Sequence, residues 1–405
     1  MIRAACTIVS LNYLPYARTL CESFLSFHPD HAFYVLLVDR IPEGVDLSHE
    51  KFKLVLVEDL GIPNFPSVAF KYGILELNTN VKPTFLKRIL DEGADQVLYF
   101  DPDILIYSTL DPVYAVLRTS GIGLIPHCTS PNESGRYAES LLLIAGVFNL
   151  GFIGLSKSEE TERFLKWWEH RCLTLGYSER WAGLFVDQKW INLVPCYFDS
   201  VHVLKDPGCN VAYWNLHERV IEKRGAAWVV NGSVPLTFFH FSGMSVNGGN
   251  TISKHSEQFD LASRPDLAPL FADYRERLVR NGIGDAASHR YAFGYFDNGA
   301  LVTKLQRAIF AANLERFSYG NPFDCQGPFY KWAKCHHLLS HRDSIEQYNR
   351  KAYSKSDWRI RLVHAAMRFV LRLLGPDRYT ILMKYLEFAA VLRNQKDVFG
   401  DAHAE

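Results

Sequence analysis

The chain carries no excess charge of either sign: Lys+Arg and Asp+Glu both number 44 among 405 residues. A global basic field of the kind that gathers nucleic acid is therefore missing, and no nucleic-acid partner is expected. The eight cysteines (Cys6, Cys21, Cys128, Cys172, Cys196, Cys209, Cys325, Cys335) are scattered, with no CxxC pair, which excludes a compact disulfide framework and leaves ordinary thiols of a reducing compartment. No run of about 18 uncharged apolar residues occurs, so no membrane-spanning helix is expected. The apolar stretch Ala4–Leu11 is short, lacks a basic leader and ends at Asn12. The expectation is thus a cytoplasmic protein without a secretion signal. Without secretion, the glycan-acceptor patterns at Asn132, Glu133, Ser134 and at Asn231, Gly232, Ser233 carry no meaning. What the sequence does have is a composition 48% hydrophobic and 14% aromatic. That is too apolar for disorder, and it suffices for one large domain with appendages or two of ordinary size.

The first half alternates strand-like and helix-like stretches. Ala4–Ser10, Phe33–Val38, Leu54–Val57, Gln96–Phe100, Gly121–Ile125 and Val147–Leu155 are short, apolar and rich in β-branched residues, as buried strands are. Tyr13–Phe27 repeats apolar residues at helical spacing, and Thr84–Leu90, Glu159–Cys172 and Trp181–Leu193 are read as further helices. This βαβ rhythm predicts an α/β fold with a mostly parallel central sheet and helices on both faces. Ligands of such sheets sit beyond the carboxyl ends of the strands. A last strand is expected at Phe238–Phe241, followed by a Gly/Asn-rich loop over Ser242–Asn250. An amphipathic helix is expected at Pro265–Gly282, and residues 290–334, rich in aromatics, Gly and Pro, resist assignment. The segment from Arg350 onward reads as helical, with eleven Lys/Arg against six Asp/Glu. The division that follows is a catalytic domain at 1–260, an accessory segment at 261–345 and a basic helical extension at 346–405.

Six places can carry chemistry. The apolar strand Gln96–Phe100 runs into Asp101-Pro102-Asp103, two carboxylates two residues apart, which in an extended segment point the same way. Two such oxygen donors suit a hard divalent cation, Mn²⁺ or Mg²⁺, able to neutralise a departing diphosphate; the bland alternative is a strand-end turn with solvated carboxylates. His240, at the end of a late strand, can add a nitrogen ligand or be a hydrogen-bonded core residue. Lys254, after the glycine loop, can close onto a phosphate or be an ordinary loop lysine. Asp187 and Gln188 can face a sugar or occupy a helix cap or solvated face. Asn149, inside an apolar run, must find partners or serve a ligand. His337 and His341 share a helix face, but no second ligand pair follows at zinc-site spacing.

Taken together and in this order, these pieces resemble the retaining glycosyltransferases of family 8 and their relatives with the GT-A fold, the lipooligosaccharide galactosyltransferase and glycogenin type. The resemblance covers roughly residues 1–260. It rests on Thr7–Tyr13, Lys82 or Lys87, Asp101/Asp103, Asn149/Gly151, Asp187/Gln188, His240/Gly243 and Lys254. It implies a GT-A fold and a nucleotide-sugar donor, of UDP type, held through Mn²⁺ (or Mg²⁺) by Asp101, Asp103 and His240. It further implies donor contacts from Thr7, Ser10, Asn12, Lys82, Lys87, Asp101, Asn149, Gly243 and Lys254. Catalytic roles fall to Asp187 and Gln188, and the hexose passes with retention to a glycan, lipid-linked or protein acceptor. The sequence departs from the family where the lysine comes later after His240, with no Pro-Trp behind it, and where Asn12-Tyr13 stands in place of an acidic residue after the first strand.

Two other functions fit parts of the pattern. A nucleotidyltransferase would share the sheet and the carboxylate pair, but its first turn should be rich in Gly, Arg or Lys, whereas here it is Ser10-Leu11-Asn12-Tyr13. A carbohydrate-binding or scaffold protein without catalysis would use the aromatic stretch 290–334 for sugar stacking. The basic amphipathic stretch 358–374 places Arg361, Arg368 and Arg372 on one face and Leu362, Ala366, Phe369 and Leu373 on another. It suits peripheral contact with the inner face of an anionic membrane, or packing on its own domain or on the second copy of a homodimer.

Overall fold

The computed structural model describes residues 1–132, 138–286, 288–340 and 357–399. His341, Glu133, Ser134 and the basic residues Arg350, Lys351 and Lys355 lie outside the described residues. The chain divides into two compact units, one made of residues 1–65 and 74–292 and the other of 66–73 and 293–405.

Among the described residues, eight strands lie in the first 203 positions: β1 (Arg3–Val9), β2 (Ala32–Leu37), β3 (Lys53–Leu56), β4 (Gln96–Phe100), β5 (Ile104–Ile106), β6 (Ile122–Pro126), β7 (Phe148–Ser156) and β8 (Val201–Val203). All except β5 join one sheet in the order β3-β2-β1-β4-β7-β6-β8. The pairings are parallel apart from those of β7, which runs antiparallel to both β4 and β6. The α/β fold with a mostly parallel sheet is therefore as the sequence predicts. Because side chains alternate along a strand, the register sorts them by face. Ala5, Val9, Phe33, Val35, Leu37, Leu98 and Phe100 form one core with the helices Leu14–Phe27 and Asp111–Leu117. Tyr99 points the other way, under the helix Lys82–Asp91, whose Lys82 ammonium lies 4.1 Å from the centre of its ring.

Beyond the sheet, β9 (Ile221–Arg224), β10 (Ala227–Val230) and β11 (Val234–Pro235) form a small antiparallel sheet, and β12 (Phe238–His240) pairs antiparallel with β5. β13 (Thr251–Ser253) and β14 (Ser256–Asp260) make a hairpin. The amphipathic helix predicted near 265–282 is present at Ala268–Arg280, in the first unit, and buries Leu270, Phe271, Tyr274 and Leu278.

Three sequence readings change. Trp181–Leu193 is not a helix but two short 3-10 turns, Arg180–Ala182 and Lys189–Leu193. Gly183 (φ 78°) and Val186 (φ 44°) enter the left-handed region between them, and no helix passes through two such residues. Asp101-Pro102-Asp103 is not extended: the Ile104 amide donates to the Asp101 carbonyl (3.2 Å), closing a tight turn. In the second unit, the phenylalanines of residues 290–334 do not present sugar-stacking surfaces. Phe293, Phe296, Phe310, Phe317, Phe323 and Phe329 are buried, and four of them (Phe296, Phe310, Phe323, Phe329) pack around Phe70 at centroid distances of 4.7–5.7 Å. Buried rings in edge and tilted contact are core.

The tail is a long helix, Trp358–Ala390, interrupted where Gly375 (φ 74°) precedes Pro376. No described helix is long and apolar enough to cross a membrane. None of the eight cysteines is in a disulfide.

Candidate active site

β1, β2 and β4 are parallel, so their carboxyl ends lie on one edge of the sheet; β7 is antiparallel, so its amino end joins them. That edge therefore collects Ser10–Tyr13, Asp39, Asp101–Asp103 and Phe148–Gly151 from four separate stretches of sequence. The Asp101 amide donates to the Gly151 carbonyl (2.8 Å), fastening the turn to β7. β12 then delivers His240 from far along the chain: His240 pairs with Ile104, and the Phe241 amide donates to the Asp103 carbonyl (2.8 Å).

The result is a cluster of three. His240 Nε2 lies 2.9 Å from an Asp103 oxygen and 3.9 Å from an Asp101 oxygen, and one ligand atom from each residue falls within 4.8 Å of the others. The imidazole is buried and the carboxylates half-buried, so the group opens to solvent on the carboxylate side. Tyr99 Oη donates to Asp101 (2.7 Å). Burial by itself would disfavour charge on His240, but Asp103 and then Asp101 outweigh it and raise the imidazole above its ordinary range. For Asp103 burial acts upward, and the His240 imidazole overrides it, leaving the carboxyl below its usual range. Gly151 is required beneath the cluster, since a Cβ there would stand 2.4 Å from His240 Cε1.

A second group lies behind the first. Lys82 Nζ donates to Asp187 Oδ2 (2.6 Å) and to the Leu150 carbonyl (2.9 Å), with both side chains almost wholly buried. Burial raises the Asp187 carboxyl, with Lys82 opposing it. Gln188 spans two backbone groups, accepting from Leu150 N (3.0 Å) and donating to the Ala145 carbonyl (3.1 Å). The broken backbone at Val186 is what turns Asp187 and Gln188 inward; a β-branched residue at positive φ is an unfavoured conformation of the kind found at functional sites.

Thr7 is fully buried in mid-strand and its hydroxyl has no partner. Ser10 Oγ donates to Asn12 (2.6 Å) at the sheet edge. Lys87 points away and pairs with Asp91 (2.5 Å) on an exposed helix face, so of the two lysines Lys82 is the one with the cluster. Gly243 (φ 74°) packs closely on Ser253 and His255, while Lys254 is exposed at the tip of the β13–β14 hairpin.

Several residues at this edge escaped the sequence reading. Asp39 accepts from the amides of Leu11 (3.1 Å) and Ala292 (2.8 Å); its signal was an acid directly after a buried strand. Tyr13, which the sequence reading included only as the end of the segment Thr7–Tyr13, stacks on Tyr16 (4.8 Å) and is partly exposed; burial first, and Asp103 second, raise its phenol. His127, Asn210 and Asn215 form a buried polar relay behind His240, and nothing in the sequence marked them.

No family model matches the chain. It is 26% identical over 288 residues to the uncharacterised Bacillus subtilis protein YfnF, covering 69% of this chain and 92% of that one. A second uncharacterised B. subtilis protein, YfnD, is 26% identical over 249 residues, 59% and 77% of the two chains. Among solved structures, the galactosyltransferase LgtC with donor and acceptor sugar analogues aligns at TM-score 0.39 and 16% identity over 67% of this chain and 95% of its own. The glycosyltransferase GlyE of Streptococcus pneumoniae aligns at 0.41 and 14% over 73% and 67%. At this level of likeness the side chains carry the functional reading.

Proposed function

We propose that this chain is a metal-dependent glycosyltransferase that moves a hexose-type sugar from a UDP-type nucleotide donor to a glycan, lipid-linked or protein acceptor, with retention of configuration. One observation carries the reading: Asp101, Asp103 and His240, from two distant segments, converge at the carboxyl edge of the sheet with ligand atoms within 4.8 Å. Two carboxylates and one imidazole are a donor set that fits Mn²⁺ or Mg²⁺, and these three residues would hold it. Such an ion, when bound, neutralises the charge of a departing diphosphate.

The remaining residues have roles of their own. Tyr13 offers an aromatic face for a base, and Ser10 and Asn12 offer polar groups beside it. Asn149, Asp187 and Gln188 line the place for the sugar. Lys82 balances Asp187, so a buried carboxylate stays tolerable next to the reacting carbon. Lys254, on its hairpin tip, is the cation for the phosphates. The test is donor turnover by the full chain across UDP-, GDP- and dTDP-sugars with and without Mn²⁺. We expect Mn²⁺-dependent turnover of a UDP-sugar that Asp103→Asn lowers about 100-fold or more, the scale for losing one electrostatic stabiliser of a developing charge. Mn²⁺-independent turnover, or wild-type rates in the variant, would remove the metal role. A donor that raises the melting temperature and is never turned over would favour the binding-protein alternative.

The proposal extends to an anionic membrane surface. Trp358, Leu362, Phe369 and Leu373 share one helix face and are all strongly exposed, from 63% to 71%. Arg361, Arg368 and Arg372 flank them, and no residue of the helix is buried. Exposed aromatic and aliphatic residues beside a row of arginines match the boundary between acyl chains and acidic headgroups.

A further inference from the structure

We propose that Asn210 is the positioning residue of the cation site. Its side chain is the last link of a hydrogen-bond relay whose direction is fixed by backbone atoms, and it holds His240 with Nδ1 carrying hydrogen and Nε2 turned to Asp101 and Asp103. The inference deepens the metal reading above and rests on it for its purpose, though not for its geometry.

The relay starts at a peptide carbonyl, which can only accept. The Val147 carbonyl lies 3.2 Å from His127 Nδ1, so that nitrogen carries the hydrogen. His127 is buried, and burial pushes its imidazole down to about 4, so the ring is neutral and Nε2 is a bare lone pair. The Asn149 side chain stands 3.3 Å from that lone pair and must offer its NH₂. Asn149 Oδ1 is thereby fixed at the other end of the amide. An independent group agrees, because the Gly151 amide, which can only donate, points at Oδ1 from 3.2 Å.

The same oxygen lies 3.0 Å from the Asn210 side chain, which therefore presents its NH₂ there. Asn210 Oδ1 is left facing His240 Nδ1 at 3.3 Å, and an oxygen in that place needs a hydrogen on the nitrogen. Ring geometry does the rest: Nε2 points at the carboxylates. Asn215 braces the relay by donating to the carbonyls of His127 (3.1 Å) and Asn210 (3.0 Å). Trp214 stands edge-on to both imidazoles, 5.3 Å from His127 and 5.1 Å from His240.

No side chain in this relay can flip singly. His127, Asn149, Asn210, Asn215 and His240 are all at least nine-tenths buried, and one reversed amide would set donor against donor or lone pair against lone pair with no water to repair it. Partners that orient a ligating imidazole through its other nitrogen typically change metal affinity 10- to 100-fold when removed.

The experiment uses the full chain, ¹⁵N-labelled at histidine, with Asn210→Leu and Asn210→Asp beside the wild type. Imidazole ¹⁵N spectra at neutral pH, without metal and with Mg²⁺, report which nitrogen of His240 bears hydrogen. Calorimetry reports Mn²⁺ affinity. We expect a protonated Nδ1 in the wild type under both conditions. Asn210→Leu should lose that signature in part and bind Mn²⁺ about 10- to 100-fold more weakly. Asn210→Asp keeps an acceptor facing Nδ1, its second oxygen, protonated in this buried place, replaces the amide as donor to Asn149 Oδ1, and affinity should hold within about tenfold of the wild type. A bare Nδ1 in the wild type overturns the proposal. So does an unchanged spectrum and affinity in Asn210→Leu, or an equal loss in both variants. If the spectra behave as expected and the wild type binds no Mn²⁺, the positioning stands and the metal reading falls.

Discussion

Lys82 and Asp187 form a second consequential residue pair beside the proposed cation cluster. Their side chains are only 1% and 2% exposed, so neither charge can be left to water. Replacing Lys82 with Met strands a buried carboxylate, and loss of one partner of such a pair costs about 3–5 kcal/mol. Urea unfolding should show that loss, and Asp187→Leu added to Lys82→Met should recover most of it without restoring turnover. Recovery would establish that the pair is kept for chemistry rather than for stability. Gln188 is different, since its contacts are to the Leu150 and Ala145 backbone. Gln188→Ala should lower kcat by about 10- to 100-fold with KM for the donor moving less than about threefold, the pattern of a group that acts in the transition state. A change confined to KM would make it a binding residue. At this scale the sequence displayed the right side chains but not their company. Asp101, Asp103 and His240 could be singled out because carboxylates and imidazole are metal-ligand types and stood in an order that resembles a known family, although each alone had a bland alternative. Asn210 and His127 were not, because a buried asparagine or histidine has the same one-letter signature whether it braces a site or fills a turn.

At the scale of elements, the helix Leu14–Phe27 closes on a titratable contact. His28 and His31 stack at 4.8 Å and meet Tyr114 of the helix Asp111–Leu117 edge-on. His28 Nε2 accepts from the Leu110 amide (3.0 Å). Burial is the main cause that holds both imidazoles below the ordinary 6.5. The neighbouring charges are mixed: His31 lowers His28, Asp111 raises both rings, Arg3 lowers both, and Asp30 raises His31. Groups whose folded values are depressed leave stability intact above 6.5 and withdraw it as pH falls through the folded values. Urea midpoints should therefore fall as pH drops below about 6.5, and the fall should be shallower in His31→Phe. The difference is bounded at about 1.4 kcal/mol per pH unit for one proton. Comparing the two proteins cancels His240, whose raised value works in the opposite direction. An identical slope in the variant would show that His31 takes no part.

For the molecule as a whole, the open question is what the exposed tail meets. Substituting Glu for Arg361, Arg368 and Arg372 in the full chain reverses the flanking charge while leaving Trp358, Leu362, Phe369 and Leu373 in place. We expect the wild type to float with vesicles containing phosphatidylserine and not with neutral ones. The triple variant should remain in the dense fraction, since each basic residue near such a surface is worth about 1 kcal/mol. Equal flotation of the two proteins would remove the membrane contact. A concentration-dependent shift in mass without flotation would point instead to a second copy of the chain.

The sequence by itself determined the α/β class, six of the seven strands of the central sheet, the amphipathic helix near 268–280 and the residue types able to hold a cation. Those follow from local periodicity and from chemistry that each residue carries alone. Tertiary structure decided the rest. It chose Lys82 over Lys87, because only one of the two faces the sheet. It broke the expected helix at Gly183 and Val186, because an inward carboxylate next to Lys82 requires a backbone turn that no helix allows. It made core out of the phenylalanines of residues 290–334, because exposure depends on what the rest of the chain brings to them. And it oriented His240, because the direction of a buried amide is set by partners some twenty to sixty positions away in the chain.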